Sequence, residues 1–574
     1  MNSVLEIIFK QIKAHSDKPA LHYLNDGEYI SISFKQMGLS AERFSAVINN
    51  LSNDDSKVVL WSTNCWQWAI SDLAIQLVGK VSVPVYPTAG EDQLTYIFND
   101  AKPSIVIVDE LSKERLEFLN TIKSVKKIIV FDNIEERPGD GSVELFDEVM
   151  DSVDPKNQLD DLLWVKDRSS DLFTILYTSG TTGVPKAVPL THNNIVQNFL
   201  GILEIIPITN QDASLSFLPL SHIFERTVGF ICVLGVGAQI FYAESIDTVA
   251  RDLLVARPTF IISVPRLYEK IYQKVISNAK GLKKLILSLA LSIGRSCDSK
   301  SLLWSLAYKV VFSKIHQKTG GRVRFLVTGG APISSHIEVF FNSIGLPIVQ
   351  GYGLTETSPI ITGNLDQKVG SVGKPLDNLN VRIESDGEIC VKGPSVFSGY
   401  SNVDNDDVFT SDGFFKTGDL GRLDTDGYLY VTGRKKEIII LSNGKNVSPN
   451  LVEEQLIQSV YVNQIIVIGD NRHYLIALVV PDFDQVNLTL GTNMSSNEIA
   501  NSLDAKDMIK NDLIGLSSSL AGFETVKNIG LIPAEFSIEG RELTATLKLR
   551  RNEITKKYTS LIDQLYDSSE KGNN

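Results

Sequence analysis

The sequence predicts an α/β protein: two stretches of alternating strand and helix, a small β-barrel, and a smaller unit at the end. Three observations carry that prediction. Short runs rich in Val and Ile alternate with amphipathic segments, the rhythm of a mostly parallel sheet covered on both faces. Between about 365 and 430 the texture changes to short strands punctuated by glycine. After Gly433-Arg434-Lys435-Lys436 the alternation returns.

The elements follow in order. Val4, Leu5, Ile8, Phe9 and Ile12 keep helical spacing, so the chain opens on an amphipathic helix. A signal peptide is not expected here, because the segment lacks a basic start and Lys10 interrupts the apolar run. Strands are expected at 57–60, 81–86, 104–108 and 127–131, and again at 171–177, 259–264 and 323–327. These read as two α/β halves. The apolar run 228–242 contains Gly229, Gly235 and Gly237. It falls short of the roughly 20 residues of a spanning helix, so a buried helix and strand are expected. The segment 280–316 reads as two apolar helices with lysine-rich ends. Core helices with snorkelling lysines and a membrane-surface contact both remain open for it. Asp386-Gly387, Asp412-Gly413 and Asp426-Gly427 are hairpin turns, which suggests the small barrel.

Composition narrows the function. The chain has 574 residues, 43% hydrophobic and 21% charged, as an ordinary globular protein has. Its 55 Lys and Arg against 68 Asp and Glu leave a net charge of −13, which argues against a nucleic-acid partner. Cys65, Cys232, Cys297 and Cys390 form no C-x-x-C pair, so neither a disulfide framework nor cysteine-bound zinc is expected. A reducing, cytoplasmic setting fits.

Four segments carry chemistry. Thr178-Ser179-Gly180-Thr181-Thr182-Gly183-Val184-Pro185-Lys186 follows an expected strand. Its hydroxyls, glycines and lysine suit an oligophosphate, although it is not the Gly-Lys-Ser/Thr nucleotide loop. Gln350-Gly351-Tyr352-Gly353-Leu354-Thr355-Glu356-Thr357 sets glycines beside a flat ring, and Glu356 is a candidate ligand for Mg²⁺. Thr417-Gly418-Asp419 is followed fifteen residues on by Arg434. A carboxylate suits ribose hydroxyls, and a guanidinium suits phosphate or hydroxyl oxygens. Leu543-Thr-Ala-Thr-Leu-Lys548-Leu-Arg-Arg551 is a basic segment near the C-terminus.

Taken together and in this order, these segments resemble the adenylate-forming superfamily of acyl-CoA synthetases, luciferases and peptide-synthetase adenylation domains. Within it, LPLSHIFER (218–226), ILSNGKNVSP (440–449) and LTATLKLRR resemble long-chain fatty acyl-CoA synthetases. Ala187 stands where the family usually has glycine, and TATLKLRR replaces the commoner Ser-Gly-Lys form.

The resemblance implies a large N-terminal domain, 1–435, of two α/β subdomains with the small barrel. It also implies a small mobile α+β C-terminal domain, 436–574, hinged at Lys436. It implies ATP and CoA as co-substrates with Mg²⁺, and a fatty acid activated as acyl-AMP. Thr178, Ser179, Gly180, Thr181, Thr182, Gly183 and Lys186 would hold phosphates. Gly330, Ala331, Gln350, Gly351, Tyr352 and Gly353 would frame adenine, and Asp419 and Arg434 would hold ribose. Glu356 and Thr355 would serve magnesium and the α-phosphate. His222 would lie beside the acyl carboxylate, Lys548 would neutralise the carboxylate–phosphate encounter, and Gly444 would let pantetheine pass. The acceptor stays open between CoA and an acyl carrier protein, with a fatty acyl-AMP ligase or a catalytically silent scaffold of the same fold as the alternatives. The localisation stays open between cytoplasm and the inner face of a membrane.

Overall fold

A computed structural model describes residues 2–52, 56–155, 158–179, 184–537, 539–544 and 548–570. Two large sheets dominate it. The first has seven strands. Val143–Leu145, Lys127–Ile134, Ile105–Leu111, Lys57–Trp61, Val81–Pro84 and Leu172–Ser179 run parallel, and Pro185–Thr191 closes the edge antiparallel. The second has nine strands, with Gln239–Tyr242, Ala213–Ser216, Phe260–Ser263, Phe325–Thr328 and Ile348–Gly353 parallel at its centre. Each strand expected from the Val/Ile runs is present within a few residues.

One pairing departs from chain order. The Pro19–Asn25 and Glu28–Ser33 hairpin joins the second sheet, beside Gln239–Tyr242, although it precedes every strand of the first. The two α/β halves therefore interlock. The Val4–Ala14 helix, capped by Ser3, buries Val4, Leu5, Ile8 and Ile12 as its spacing predicts. The largest core draws on both halves, from Trp68 and Phe199 to Phe230 and Val327.

The 228–242 run is a π-helical turn over Glu225–Cys232, a short helix, and the strand Gln239–Tyr242, as expected. The hairpins near 365–430 form an antiparallel sheet of Asn380–Ile383, Glu388–Lys392, Phe415–Leu423 and Leu429–Arg434. Gly387 and Gly427 take positive φ at its turns. These pairings by themselves leave the sheet open rather than closed as a barrel. Beyond Glu437 a smaller body is built on Val462–Ile468, Leu475–Pro481 and Val526–Leu531, with its own cores.

The 280–316 segment forms the Leu282–Ser296 helix and a returning helical run over Leu302–Ala307, Tyr308–Phe312 and Ser313–Lys318. Among the described residues, no helix is long and apolar enough to cross a membrane.

Candidate active site

The site forms where the parallel strands of the nine-stranded sheet end, the usual place for ligands in open α/β sheets. The chain leaves Phe325–Thr328 into Gly329, Gly330 and Ala331, and Ile348–Gly353 carries Gln350, Gly351, Tyr352 and Gly353. Close neighbours and backbone angle favour glycine here. A Cβ at Gly353 would stand 1.8 Å from the Pro359 carbonyl oxygen. One at Gly329 would stand 3.1 Å from the Phe224 ring. Gly330 takes φ +81°, which favours glycine, and faces Lys548, whose Cε would lie 3.9 Å from an added Cβ.

Asp419 and Arg434 are cross-strand partners on Phe415–Leu423 and Leu429–Arg434. Arg434 Nε donates to Asp419 Oδ1 at 2.8 Å, and Tyr352 Oη donates to Asp419 Oδ2 at 2.8 Å. The Asp419 charge raises Arg434 above its ordinary value. The sequence-predicted adenine ring partner and the ribose pair are thus one hydrogen-bonded unit.

Glu356 lies on the single turn Thr355–Thr357, with Thr355 beside it, and is buried. Its Oε1 accepts from Tyr400 Oη at 2.7 Å. The Lys186 ammonium stands over the Tyr400 ring, 4.4 Å from its centre. Burial and the Glu356 charge raise the Tyr400 phenol, which stays protonated. Tyr400 thus joins the lysine of one motif to the carboxylate of another, and no sequence signal had marked it. Asn402 secures the same loop: its Oδ1 accepts from Ala187 N at 2.9 Å, and its Nδ2 donates to Pro185 O at 3.0 Å. The Ala187 methyl is fully buried on this strand.

Thr178 pairs with Lys186 across the hairpin of Leu172–Ser179 and Pro185–Thr191. The expectations for Gly180, Thr181, Thr182 and Gly183 lie outside the described residues, as does any statement about the Ser179 side chain.

Lys548 comes from the smaller body and enters this cleft. Thr544 holds its turn, with Lys548 N donating to Thr544 Oγ1 at 3.0 Å. The residue stays open to solvent on one side. Crowding by protein, and then the Arg434 charge, lower its ammonium from the ordinary lysine value, while Asp419, Glu437 and Glu356 oppose the shift. His222 is half-buried, and burial with the Lys548 charge pushes it down to about 3. Its Nδ1 accepts from Phe224 N at 3.2 Å, so the neutral ring carries its proton on Nε2.

Two residues stand apart from this cluster. Lys436 lies in the Lys435–Glu437 turn between the two bodies. Gly444 takes φ +78° at a turn that packs on 469–473, where Ser442 N donates to Arg472 O at 2.9 Å. The smaller body is held by Arg266, which donates to Asn463 O at 2.8 Å and to Asn463 Oδ1 at 2.5 Å, and faces Glu535 at 3.7 Å. Among the described residues, no group of three or more His, Cys, Asp or Glu side chains makes a metal cage. A single buried carboxylate with one hydrogen-bond donor among those residues instead suits an ion that arrives with phosphate oxygens.

Comparison with known proteins identifies the family. Residues 8–401 match the model of the AMP-binding enzyme family, and 436–570 match its C-terminal domain. The long-chain-fatty-acid–CoA ligase FadD15 of Mycobacterium bovis is 30% identical over 99% of this chain and 97% of its own. Long-chain-fatty-acid–CoA ligase 5 of Rattus norvegicus is 33% identical over 99% of this chain and 89% of its own. The adenylation domain of a carboxylate reductase from Mycobacterium chelonae shares the fold, with a TM-score of 0.77 at 22% identity, covering 98% of this chain and 91% of that one.

Proposed function

Because this chain belongs to the AMP-binding enzyme family, we propose that the cleft between its two bodies activates a medium- to long-chain fatty acid with ATP and passes it to CoA. The observation that carries the reading is convergence. Lys548 of the smaller body faces Gly330 of the larger one, within electrostatic reach of Arg434, Asp419 and His222. The near full-length likeness to curated long-chain-fatty-acid–CoA ligases supports the acid and the acceptor.

The reaction has two halves. A carboxylate oxygen attacks the α-phosphorus of ATP, and the bond to pyrophosphate breaks, leaving acyl-AMP. A thiol sulfur then attacks the acyl carbonyl carbon, and the bond to AMP breaks. Carboxylate is a poor acyl donor, so the adenylate supplies the leaving group. Both halves gather negative charge on oxygens, and preorganised cations and donors stabilise it.

Each residue has a place in this scheme. Asp419, held by Arg434 and Tyr352, accepts from ribose hydroxyls. The Gly329–Gly330 turn and Tyr352 frame the base. Lys186 and the loop before it hold the outer phosphates, and Thr355 serves the α-phosphate. Glu356 would hold Mg²⁺, which supplies charge neutralisation to the phosphates. Neutral His222 offers its Nε2–H to the acyl carboxylate. Lys548 draws the two anions together. Lys436 is the hinge on which Lys548 withdraws, and the Gly444 turn then faces pantetheine. An acyl carrier protein in place of CoA is the second reading of the same thiol step.

A product assay tests this. Each buried CH₂ contributes about 0.8 kcal/mol, so six further methylenes from C8 to C14 contribute at most about 5 kcal/mol. With ATP and CoA fixed, kcat/KM rises from octanoate to dodecanoate, while acetate and coumarate give negligible acyl-CoA. A maximum at acetate or coumarate overturns the acid class. Acyl-AMP accumulating without acyl-CoA moves the acceptor to a carrier protein.

A further inference from the structure

The Leu282–Ser296 helix buries one apolar stripe and exposes another. Leu287, Ala290 and Leu291 pack inward. The returning helix is pinned by Trp304, whose Nε1 donates to Ser343 O at 3.3 Å. On the outside, Leu282, Leu285 and Leu289 are 72%, 68% and 66% exposed, and Leu302, Leu303 and Leu306 are 90%, 58% and 59% exposed. A single exposed leucine is ordinary, but six on one helical hairpin mark a surface with a partner.

Charge selects the partner. Residues 280–318 carry eight Lys and Arg and one Asp, within a chain of net charge −13. Among the described residues, none of those eight side chains pairs with a carboxylate. A second copy of the chain would bring two such cationic faces together, which costs energy. A polyanion alone would leave the leucines against water. An anionic phospholipid leaflet satisfies both sets, with acyl chains below and phosphates at the surface.

A cavity of about 650 Å³ lies behind this helix. Lys284, Ser288, Ser292 and Arg295 line it from one stripe, beside the apolar Leu287 and Leu291, and His336 lines it from the facing helix with a buried Nδ1 that has no hydrogen-bond partner among the described residues. Two cations, two hydroxyls and an imidazole suit a phosphodiester.

We propose that the 280–318 hairpin docks the enzyme on an anionic bilayer, with the leucines in the leaflet and a lipid phosphate in the Lys284–Arg295 cavity. The inference stands on the hairpin alone, so its failure leaves the catalytic reading untouched. The test is co-sedimentation of the full chain with vesicles of phosphatidylcholine, alone or with 30% (about a third) phosphatidylglycerol. Binding is expected only with phosphatidylglycerol. It falls at least about tenfold in a Lys283→Glu, Lys284→Glu, Lys309→Glu, Lys314→Glu variant. It falls similarly in a Leu285→Ser, Leu289→Ser, Leu302→Ser, Leu306→Ser variant, with turnover of dispersed octanoate retained in both. Lys284→Ala with Arg295→Ala weakens binding, and free inorganic phosphate does not compete. Absence of wild-type binding, or equal binding by the variants, overturns the proposal. So does a wild-type dimer that the leucine variant dissolves, since a second copy then covers the face.

Discussion

Tyr400 is the residue that turns separate motifs into one site. Its hydroxyl donates to Glu356, and its ring lies under Lys186. A hydrogen bond to a charged group is worth about 1.5–3 kcal/mol. Tyr400→Phe is therefore expected to lower ATP–pyrophosphate exchange by roughly tenfold or more while leaving the melting temperature nearly unchanged. Unaltered exchange would remove Tyr400 from the site. Lys548→Ala is expected to abolish acyl-AMP formation, yet spare thioester formation from supplied acyl-AMP. Because the Lys548 ammonium is lowered, adenylation declines on the alkaline side below pH 10.5, the ordinary lysine value, as the cation is lost. Lys548→Arg moves that limb upward. At this scale the sequence exposes charge types and spacing, which is why it singles out Lys186, Glu356, Asp419, Arg434 and Lys548 as candidates. Tyr400 is not among them, because its contacts depend on Asn402 folding a distant loop onto the Pro185–Thr191 strand.

Elements were legible wherever hydrophobic periodicity alone decides them, as in the Val4–Ala14 helix and the buried Val/Ile strands. The Pro19–Asn25 hairpin was not, because its place in the second sheet is set by long-range pairing that no local pattern encodes. The Glu225–Cys232 turn shows both sides. Its apolar residues announce burial, but its two ionisable side chains need the structure. Arg226 is buried and donates to Asp72 from Nε at 3.0 Å, tying the Trp66–Leu77 helix of the first half to the second. Glu225 accepts from Ser216 Oγ at 2.7 Å, and burial raises its carboxyl to about 8. The folded state therefore keeps this proton while the unfolded state, near 4.5, has lost it. The resulting stabilisation is complete below pH 4.5 and is lost as pH rises through about 8. Glu225→Gln is expected to melt with the wild type at pH 5 and above it at pH 9. Parallel melting at both values would mean that the carboxyl is not held neutral.

For the whole molecule, the sequence divides the chain at the change of texture near Gly433–Lys436, but the docking of the two parts was not legible, since it rests on contacts between residues far apart in the chain. Arg266 begins the Pro265–Ser277 helix of the larger body and holds the Asn463 carbonyl and side chain of the smaller one, with Glu535 nearby. These bonds accompany the arrangement in which Lys548 faces Gly330. If the smaller body turns about Lys436 between half-reactions, Arg266 stabilises the adenylating arrangement alone. Losing it then shifts the population away from Lys548 engagement without touching a reacting atom. Arg266→Ala is expected to reduce ATP–pyrophosphate exchange by roughly tenfold, the size of one charge-assisted contact. Thioester formation from supplied acyl-AMP should hold steady or rise, because the competing arrangement is no longer favoured. A protein that merely needed Arg266 to fold would lose both half-reactions together and melt lower. Equal losses at an unchanged melting temperature would show that the two arrangements share this contact, and the hinge would then need another latch.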